Sequence, residues 1–376
     1  MSKTIKLLSI IETLGKGGAE RVLVNTMPDL KKSGIECEVA ILFDRDDLAK
    51  ELEEKGIKVH RLNLSYKWNI FEGIYKLNRL IKKNQYDIVH AHLFFAYFYT
   101  GLIKVFNKNI KTVLTFHNLA YNAYPANTFI KKLRKKLDKF VVNKLIDKKT
   151  AVSNAVKQHF NKHLNVTNIE MIPNSFPIKN LRNYYEINEN ILKQYNLDNK
   201  DNFIILTPGR LVKEKGHLYL IEAVKILNKK YNNLIFLFVG EGPLKDNLRN
   251  IAPSNIYFLG EMSHDKLMKL YNEVDLVVIP SIHEAFGLVV GEAMIMKKSI
   301  IATDIDGIKE IIENTKEGLL VPPKNSKALA DAIERLYKNK LLRMKLAENG
   351  YKKIQQFDSN IIIKKWKNFY EELINE

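Results

Sequence analysis

Short apolar runs alternate with helical segments along this chain, and the whole alternation occurs twice. The first series of apolar runs comprises Ile5–Ile11, Cys37–Phe43, Val59–Leu64, Tyr86–His90 and Thr112–Phe116. The second series comprises Phe203–Leu206, Ile235–Val239, Ile256–Leu259, Leu276–Ile279, Ile300–Thr303 and Leu319–Val321. Strand-like runs that alternate with helices favour a doubly wound, parallel sheet with helices on both faces. We therefore predict two α/β domains, residues 1–180 and 201–356, joined by a polar, Asn-rich linker at 181–200.

Length and composition are those of a folded, intracellular protein. The 376 residues suffice for two cores, and 46% hydrophobic with 27% charged residues excludes a disordered chain. The longest apolar run, Leu93–Ile103, is about half of the ~20 residues that span a bilayer, so it predicts a buried helix. Cys37 has no second cysteine to pair with, and the run Ile5–Ile11 leads into Glu12 and glycines rather than a cleavage site. We expect a cytoplasmic location and a buried, unreactive thiol.

Positive charge is concentrated in the first half of the chain. The net charge is +18, and residues 1–180 carry +15 of it. Residues 129–149 combine a +7 charge over 131–149 with apolar residues at helical spacing: Ile130, Leu133, Leu137, Phe140, Val141 and Leu145. Such a helix is typical of the surface of an anionic membrane, although a core-packed helix with a basic outer face has the same pattern. The candidate membrane-binding residues are Lys131, Lys132, Arg134, Lys135, Lys136 and Lys139.

A basic loop follows the first strand of the second series. It reads Thr207-Pro208-Gly209-Arg210-Leu211-Val212-Lys213-Glu214-Lys215-Gly216. Ligands of open α/β sheets bind beyond the carboxyl ends of the strands, where Arg210 and Lys215 could hold a diphosphate. Two solvated loop charges would give the same sequence.

Two glutamates eight residues apart follow a later strand. Glu284 stands near a strand end, whereas Glu292 lies within the apolar run Leu288–Met296, where an unpaired carboxylate is costly. Gly287, Leu288 and Val289 would begin the helix and offer free N–H groups to a phosphate. Glu292 could then bind ribose hydroxyls and Glu284 a sugar, unless both are ordinary surface carboxylates.

Two further features are ambiguous when taken alone. The glycines of Gly15-Lys16-Gly17-Gly18 allow a close approach of backbone to ligand but also suit a tight turn. His117 ends a strand of the first series, where a structural and a catalytic histidine are equally consistent with the sequence.

Together these segments resemble the retaining glycosyltransferases of family four, which have the two-domain GT-B fold. The matching stretches are Gly17-Gly18-Ala19-Glu20, Asp87-Ile88-Val89-His90-Ala91-His92, Phe116-His117, Ala151-Val152-Ser153, Ile172-Pro173-Asn174, Gly209-Arg210-Leu211, Lys215-Gly216, Val239-Gly240-Glu241-Gly242-Pro243, the pair Glu284 and Glu292, and Gly318-Leu319-Leu320-Val321-Pro322. The chain departs from the family pattern at Asn174-Ser175 and at Asp306-Gly307-Ile308-Lys309-Glu310.

The resemblance implies two Rossmann-like domains facing a central cleft, with a C-terminal helix at 357–376 that crosses back to an acceptor-side first domain. It implies transfer with retention from a nucleotide-diphosphate sugar, without metal or cofactor. A UDP-linked N-acetylhexosamine or hexose is the expected donor, and GDP stays open. A membrane-associated, lipid-linked saccharide or a lipopolysaccharide or capsule precursor is the expected acceptor, reached by peripheral attachment to the cytoplasmic face.

The resemblance also assigns roles to residues. Arg210 and Lys215 would hold the diphosphate with the backbone of Gly287, Leu288 and Val289, while Gly17 and Gly18 would approach it from the first domain. Glu292 would bind the ribose, Met262 would lie near the base, and Glu284 and His117 would contact the sugar.

Two other classes of function are weighed against this one. A different activity on the same fold, such as a sugar-nucleotide epimerase or a phosphorylase, fits the paired glutamates and the Arg210–Lys215 loop less well. A nucleic-acid-binding protein is suggested only by the basic pI of about 9.5, because the basic helix lacks the interleaved aromatic residues of a single-strand binder.

Overall fold

The computed structural model describes residues 4–123, 128–185, 187 and 189–376. These residues form two compact units, one of Met1–Ser175 with Phe357–Glu376 and one of Phe176–Gln356. Each unit is a parallel sheet covered by helices, as the repeated alternation predicts.

The boundary between the units differs from the predicted linker. The described part of residues 181–200 packs within the second unit, where Glu273 accepts hydrogen bonds from the amides of Ile191 and Leu192 at 2.8 and 2.9 Å. Both of these residues are buried, as is Leu197. The segment therefore has an apolar side that its polar composition hides, and the structure places the change of unit at Ser175.

The first unit contains one sheet among its described residues, with the strand order β3-β2-β1-β4-β5-β6-β7, and all pairs are parallel. Its elements along the chain are β1 (Lys6–Ile11), α1 (Gly18–Lys32), β2 (Glu36–Ile41), α2 (Ala49–Glu54), β3 (Lys58–Arg61), α3 (Ile70–Asn84), β4 (Ile88–His92), α4 (Phe94–Phe106), β5 (Lys111–Phe116), α5 (Ala120–Ala123), α6 (Phe129–Lys144), β6 (Lys148–Ala151), α7 (Asn154–Leu164) and β7 (Ile169–Met171).

Helix α1 continues through Pro28, and Met27 and Leu30 on either side of it are both buried in the core. Two other elements of the first unit correct the sequence prediction. Helix α6 ends at Lys144 rather than near residue 149, since Lys148–Ala151 forms β6. Strand β7 was not predicted, because its three residues are too few for a periodicity.

The second unit repeats the arrangement. It begins with α8 (Ile178–Arg182) and a 3-10 turn (Leu192–Tyr195). Then follow β8 (Phe203–Pro208), a 3-10 turn (Lys213–Lys215), α9 (His217–Leu227), β9 (Leu234–Val239), α10 (Lys245–Ile251), β10 (Ile256–Gly260), α11 (His264–Glu273), β11 (Leu276–Ile279), α12 (Leu288–Ile295), β12 (Ser299–Thr303), α13 (Asp306–Lys309), β13 (Leu319–Val321), α14 (Ser326–Lys338), α15 (Lys340–Ile354) and a 3-10 turn (Gln355–Phe357). In the described residues its sheet has the parallel order β10-β9-β8-β11-β12-β13.

The C-terminal helix belongs to the first unit, as the resemblance implies. Helix α16 (Ser359–Asn375) is capped by Asp358 and packs against α1. It buries Trp366 and Tyr370, and the Tyr370 hydroxyl is 2.7 Å from Nδ1 of His90. The helix thus covers the first sheet with apolar residues that would otherwise be exposed.

Candidate active site

The strand order of the second unit reverses between β8 and β11, which are neighbours in the sheet. In open α/β sheets such a switch point leaves a crevice beyond the carboxyl ends of the two strands, where ligands bind. The loop after β8 carries Arg210 and Lys215, and the loop after β11 carries Glu284. The topology therefore brings the two predicted segments to one place.

The loop after β8 closes tightly on the loop after β11. Gly216 adopts φ +69° between the 3-10 turn and α9, and a Cβ at this position would lie 2.0 Å from the carbonyl oxygen of Pro280. The amide of Ile282 donates to the carbonyl oxygen of Glu214 at 2.7 Å. Only glycine permits this approach, because any side chain would displace backbone.

Lys215 and Glu284 form an ion pair at this contact. Nζ of Lys215 donates to Oε1 of Glu284, and Oγ of Ser281 donates to the same oxygen at 2.9 Å. Both charged side chains are largely shielded from solvent, whereas Arg210 is exposed. Lys215, which is predicted to bind the diphosphate, is thus in direct contact with Glu284, which is predicted to bind the sugar. Arg210 lies on the same loop as Lys215.

Helix α12 begins as the sequence predicts. Gly287 is its N-cap residue with φ +81°, a left-handed conformation that favours glycine, and the helix runs from Leu288 to Ile295. The amides of Val290 and Gly291 donate to the Gly287 carbonyl oxygen at 3.0 and 3.3 Å. The amides of Leu288 and Val289 precede these bonds, at the positive end of the helix dipole.

Glu292 is paired with a residue that the sequence analysis missed. Its Oε1 lies 3.0 Å from Nε2 of His264, the first residue of α11, and both side chains are mostly buried. The carboxylate is therefore not left unpaired in its apolar run. The two residues are 28 positions apart, so no local spacing could indicate the pair.

Met262 lies on the loop between β10 and α11 and is half-buried. The next residue, Ser263, caps α11 with its side chain, and His264 follows. Met262 is therefore two residues from the ring that contacts Glu292, which is consistent with the predicted neighbourhood of ribose and base ligands.

Three histidines of the first unit lie together towards the carboxyl ends of β4 and β5, and the ring centroids of His90 and His92 are 4.2 Å apart. Nδ1 of His92 and Nε2 of His117 are 2.8 Å apart and share one hydrogen bond. His90 lies on the same face of β4, with Nδ1 2.7 Å from the Tyr370 hydroxyl and Nε2 2.6 Å from the Thr115 hydroxyl. The His90-Ala91-His92 spacing places both rings on one side of a strand, a feature that the sequence analysis matched to the family without assigning a role.

Burial keeps these histidines neutral. It lowers the pKa of His90 to about 3 and that of His117 to about 4, and it holds the pKa of His92 well below its ordinary value. At neutral pH His117 can therefore donate or accept a hydrogen bond but carries no charge.

The histidine group lines a cavity beneath α1 and α16. Nε2 of His92 and Oγ of Ser175 both lie at this cavity, and neither has a hydrogen-bond partner within the described ranges. Ser175 is the position at which the sequence departs from the family pattern directly after the matching stretch Ile172-Pro173-Asn174.

Gly17 and Gly18 begin the first helix of the first unit. Gly17 is the N-cap residue of α1, and its carbonyl oxygen accepts from the amide of Arg21 at 3.0 Å. A Cβ at Gly17 would lie 2.3 Å from a carboxylate oxygen of Glu20. The glycine turn is thus the start of α1, and the Glu20 side chain lies against it in the space that a Cβ at Gly17 would occupy.

All six predicted membrane-binding cations lie on α6. Lys131, Lys132, Arg134, Lys136 and Lys139 are exposed, and Lys135 is half-buried beside His163. The guanidinium of Arg134 stacks 3.7 Å from the ring centroid of Phe94.

The apolar face of α6 differs from the prediction. Val141 is buried, but Ile130, Leu133 and Phe140 are exposed, because α6 turns Asp138 inward. Asp138 accepts hydrogen bonds from the hydroxyls of Tyr97 and Tyr121 at 3.1 and 2.7 Å. Burial raises the pKa of this carboxyl to about 6.

Cys37 is buried, as the sequence predicts, and burial raises the pKa of its thiol to about 12. Where the structure describes the chain, none of its helices has the length and hydropathy required to cross a bilayer.

Comparison with known proteins gives matches over both units. The family model of the glycosyl transferases group 1 matches residues 188–353, and that of glycosyltransferase family 4 matches residues 16–179. The alpha-D-kanosaminyltransferase of Streptomyces kanamyceticus is 34% identical over 163 residues, which cover 42% of each chain. An N,N'-diacetylbacillosaminyl-diphospho-undecaprenol alpha-1,3-N-acetylgalactosaminyltransferase of Campylobacter jejuni is 32% identical over 185 residues, or 48% of this chain and 47% of that enzyme. Both matches span less than half of the relative's length.

The fold has close counterparts among solved structures. The crystal structure of Anabaena Alr3699/HepE in complex with UDP and glucose superimposes with a TM-score of 0.83 over 98% of this chain and 100% of that chain, at 20% identity. The two family models cover most of both units and the fold is that of GT-B glycosyltransferases, so this chain belongs to the family 4, group 1 glycosyltransferases.

Proposed function

We propose that this protein transfers a sugar from a UDP-sugar, with an N-acetylhexosamine or a hexose as the sugar, to a lipid-linked saccharide or polysaccharide precursor at an anionic membrane. The observation that carries the donor half of the proposal is the contact of Lys215 with Glu284 beside the first turn of α12. The UDP complex of HepE supports the choice of nucleotide, and the diphospho-undecaprenol in the name of the Campylobacter relative supports the acceptor class.

The diphosphate is the first ligand of the site. Arg210 and Lys215 supply two positive charges on one loop, and the first-turn amides Leu288 and Val289 supply hydrogen-bond donors. Charge accumulates on the leaving diphosphate as the bond to the sugar breaks, so fixed cations and dipoles stabilise the transition state more than the ground state. The same groups make a metal ion unnecessary in the proposed reaction.

The nucleoside is bound next to it. Glu292 accepts from the ribose hydroxyls, and His264 holds the carboxylate in place through its 3.0 Å contact. Met262, on the same loop as the histidine, packs against the base.

The transfer step conserves configuration in this proposal. The bond between the anomeric carbon and the diphosphate oxygen breaks, and its electron pair stays with UDP. The acceptor hydroxyl oxygen bonds to the anomeric carbon from the same face and gives its proton to the departing UDP. Glu284 accepts from sugar hydroxyls, and His117 acts as a neutral hydrogen-bonding group because its pKa lies near 4.

The acceptor half of the proposal rests on α6. This helix has seven basic residues and one acidic residue, and that acidic residue is buried. Basic residues near an anionic surface contribute about 1 kcal/mol each, and the exposed Ile130 and Leu133 add apolar contact. We expect peripheral attachment to the cytoplasmic face.

A thermal-shift panel of UDP, GDP, ADP and their sugar conjugates tests the donor. A ligand at 100 times its Kd stabilises the fold by about 2.7 kcal/mol, so UDP and one UDP-sugar should raise Tm above the others. Transfer of the labelled sugar to lipid extract then tests the acceptor, EDTA tests metal independence, and NMR of the product anomer tests retention. Stabilisation by GDP or ADP alone, or release of UDP without any glycosylated product, contradicts the proposal.

A further inference from the structure

A set of exposed aromatic residues lies at the start of α3, and the sequence analysis singled out none of them. This aromatic edge consists of Tyr66, Trp68, Phe71 and Tyr75. The Phe71 side chain is 88% exposed and that of Trp68 is 40% exposed, and the two tyrosines are more exposed than Trp68. Phe71 and Tyr75 are four residues apart in a helix and so share one face.

The turn that carries these side chains is fixed by a polar network. Asn69 caps α3 by accepting from the amide of Glu72, and Glu72 Oε2 accepts from Ser65 Oγ at 2.7 Å and from Asn69 Nδ2 at 2.9 Å. Nζ of Lys76 donates to Glu72 Oε1 at 2.6 Å. The hydrogen-bonded turn therefore keeps the aromatic side chains exposed to water. This exposure of apolar surface is unfavourable, and burial against a partner would remove it.

The aromatic edge is continuous with α6. The Trp68 ring lies 6.0 Å from the ring of Phe94, and the Arg134 guanidinium covers the same Phe94 ring at 3.7 Å. Ile130 is one helical turn before Arg134, and Phe129 at the start of α6 is 81% exposed. Apolar side chains from two helices and the cations of α6 thus form one surface of the first unit.

We propose that the aromatic edge inserts into the interface of an anionic bilayer beside α6, so that two helices rather than one contact the lipid. This inference rests on the membrane attachment proposed above. Charge selects the occupant, because the adjoining surface carries five exposed cations, which attract an anionic lipid surface more strongly than a neutral protein groove. Trp and Tyr prefer the headgroup level, and Phe71 reaches the acyl boundary.

The chain supplies its own reporter for this insertion. It has two tryptophans, Trp68 and Trp366, and Trp366 is only 7% exposed within the core of the first unit. In a Trp366→Phe variant, emission comes from Trp68 alone. With vesicles of equal parts phosphatidylglycerol and phosphatidylcholine, the emission should shift to the blue and be quenched by lipids brominated on the acyl chain.

Substitutions at the aromatic edge should weaken binding to these vesicles. Phe71→Ser combined with Tyr75→Ser should lower the vesicle partition coefficient by about tenfold or more, because two interfacial side chains are lost. Phe106→Ser is the matched control, since Phe106 is 64% exposed at the far end of α4, and it should bind as the parent does. Equal Tm values for the parent and all variants show that the fold is intact.

Each outcome separates this inference from the membrane proposal. Sedimentation with the vesicles without any change in Trp68 emission, and with equal binding by the double variant, overturns the inference and leaves attachment through α6 standing. Failure to sediment at low salt overturns both. A blue shift that appears on raising the protein concentration without vesicles shows that a second copy covers the edge, which also overturns the inference.

Discussion

The ammonium group of Lys215 is bonded to the carboxylate of Glu284, so each of these groups neutralises the other in the structure. A diphosphate at this place adds a second anion beside Lys215, while a sugar adds hydroxyl donors beside Glu284. In the proposed function, the pair therefore couples the binding of the two halves of the donor. Substitutions can test directly whether the cation Lys215 binds the phosphates and the anion Glu284 binds the sugar.

Removing either cation of the loop should slow the transfer of the sugar. Arg210→Ala and Lys215→Ala should each lower kcat about a hundredfold, because each removes a preorganised positive charge at the leaving diphosphate. Lys213→Ala is the control, since Lys213 is exposed on the same turn. If both active-site variants keep the turnover of the control, the diphosphate is bound elsewhere.

The two glutamates should separate in calorimetry with UDP alone. Glu292→Gln should weaken UDP binding about tenfold, because a charge-assisted hydrogen bond to the ribose is lost. Glu284→Gln should leave UDP affinity unchanged or tighter, since it frees Lys215 from its partner, but it should lower transfer. Equal losses of UDP affinity in the two variants contradict these roles.

His117 should act through hydrogen bonding and not through charge. His117→Ala should lower kcat about a hundredfold with little change in UDP affinity, since it removes a polar contact made in transfer. Because burial lowers the pKa of His117 to about 4, its titration should leave kcat unchanged between pH 8 and about 5. A kinetic pKa near 6.5 that disappears in His117→Ala would show that the ring titrates freely.

Reversing charge on α6 should release the protein from anionic vesicles. Lys131, Lys132, Lys135 and Lys136 are changed together to Glu, which should abolish sedimentation with vesicles and spare UDP affinity. The control reverses four exposed lysines elsewhere on the first unit: Lys82, Lys83, Lys108 and Lys157. Binding of the wild type should weaken with salt, because charges are screened within about 8 Å at physiological ionic strength. Salt-independent binding, or equal loss in the control, would exclude a specific role for α6.

Stability should fall as the pH falls from about 6.5 to 4. Burial lowers the pKa of His90 to about 3 and of His117 and His217 to about 4, whereas unfolded histidine titrates near 6.5. Between these values the unfolded chain binds protons that the folded chain does not. The contribution of these histidines to the free energy of unfolding is therefore fully present above pH 6.5 and is lost as the pH falls from about 6.5 to 4. Thermal unfolding at pH 7.5, 6 and 5 should show a decreasing Tm.

Asp138 should oppose this loss of stability. Its pKa is raised to about 6 by burial, so the folded chain binds this proton at a higher pH than the unfolded chain, where aspartate titrates near 3.9. Its contribution therefore increases as the pH falls through 6. Asp138→Asn should make the fall of Tm between pH 7.5 and 5 steeper, and a shallower fall would show that the carboxyl is ionised in the fold.

The sequence by itself predicted most of the local structure and named most residues of the candidate site, although not His264. Period-two and continuous apolar runs gave most of the strands, and the glycines at 216 and 287 marked turns that other residues cannot form. These features are readable because each depends on residues close together in the chain. The basic composition of α6 was evident from the sequence for the same reason. Which of its residues face the core and which face solvent was not.

Only the tertiary structure decided which of these residues meet. Lys215 reaches Glu284 across 69 positions because β8 and β11 are neighbours at the switch point of the sheet, and Glu292 of α12 contacts His264 of α11 across 28 positions. Likewise His92 contacts His117 only because β4 pairs with β5. Strand order is a property of the whole packed core, since it depends on which apolar faces bury best together, and no single segment of the chain encodes it.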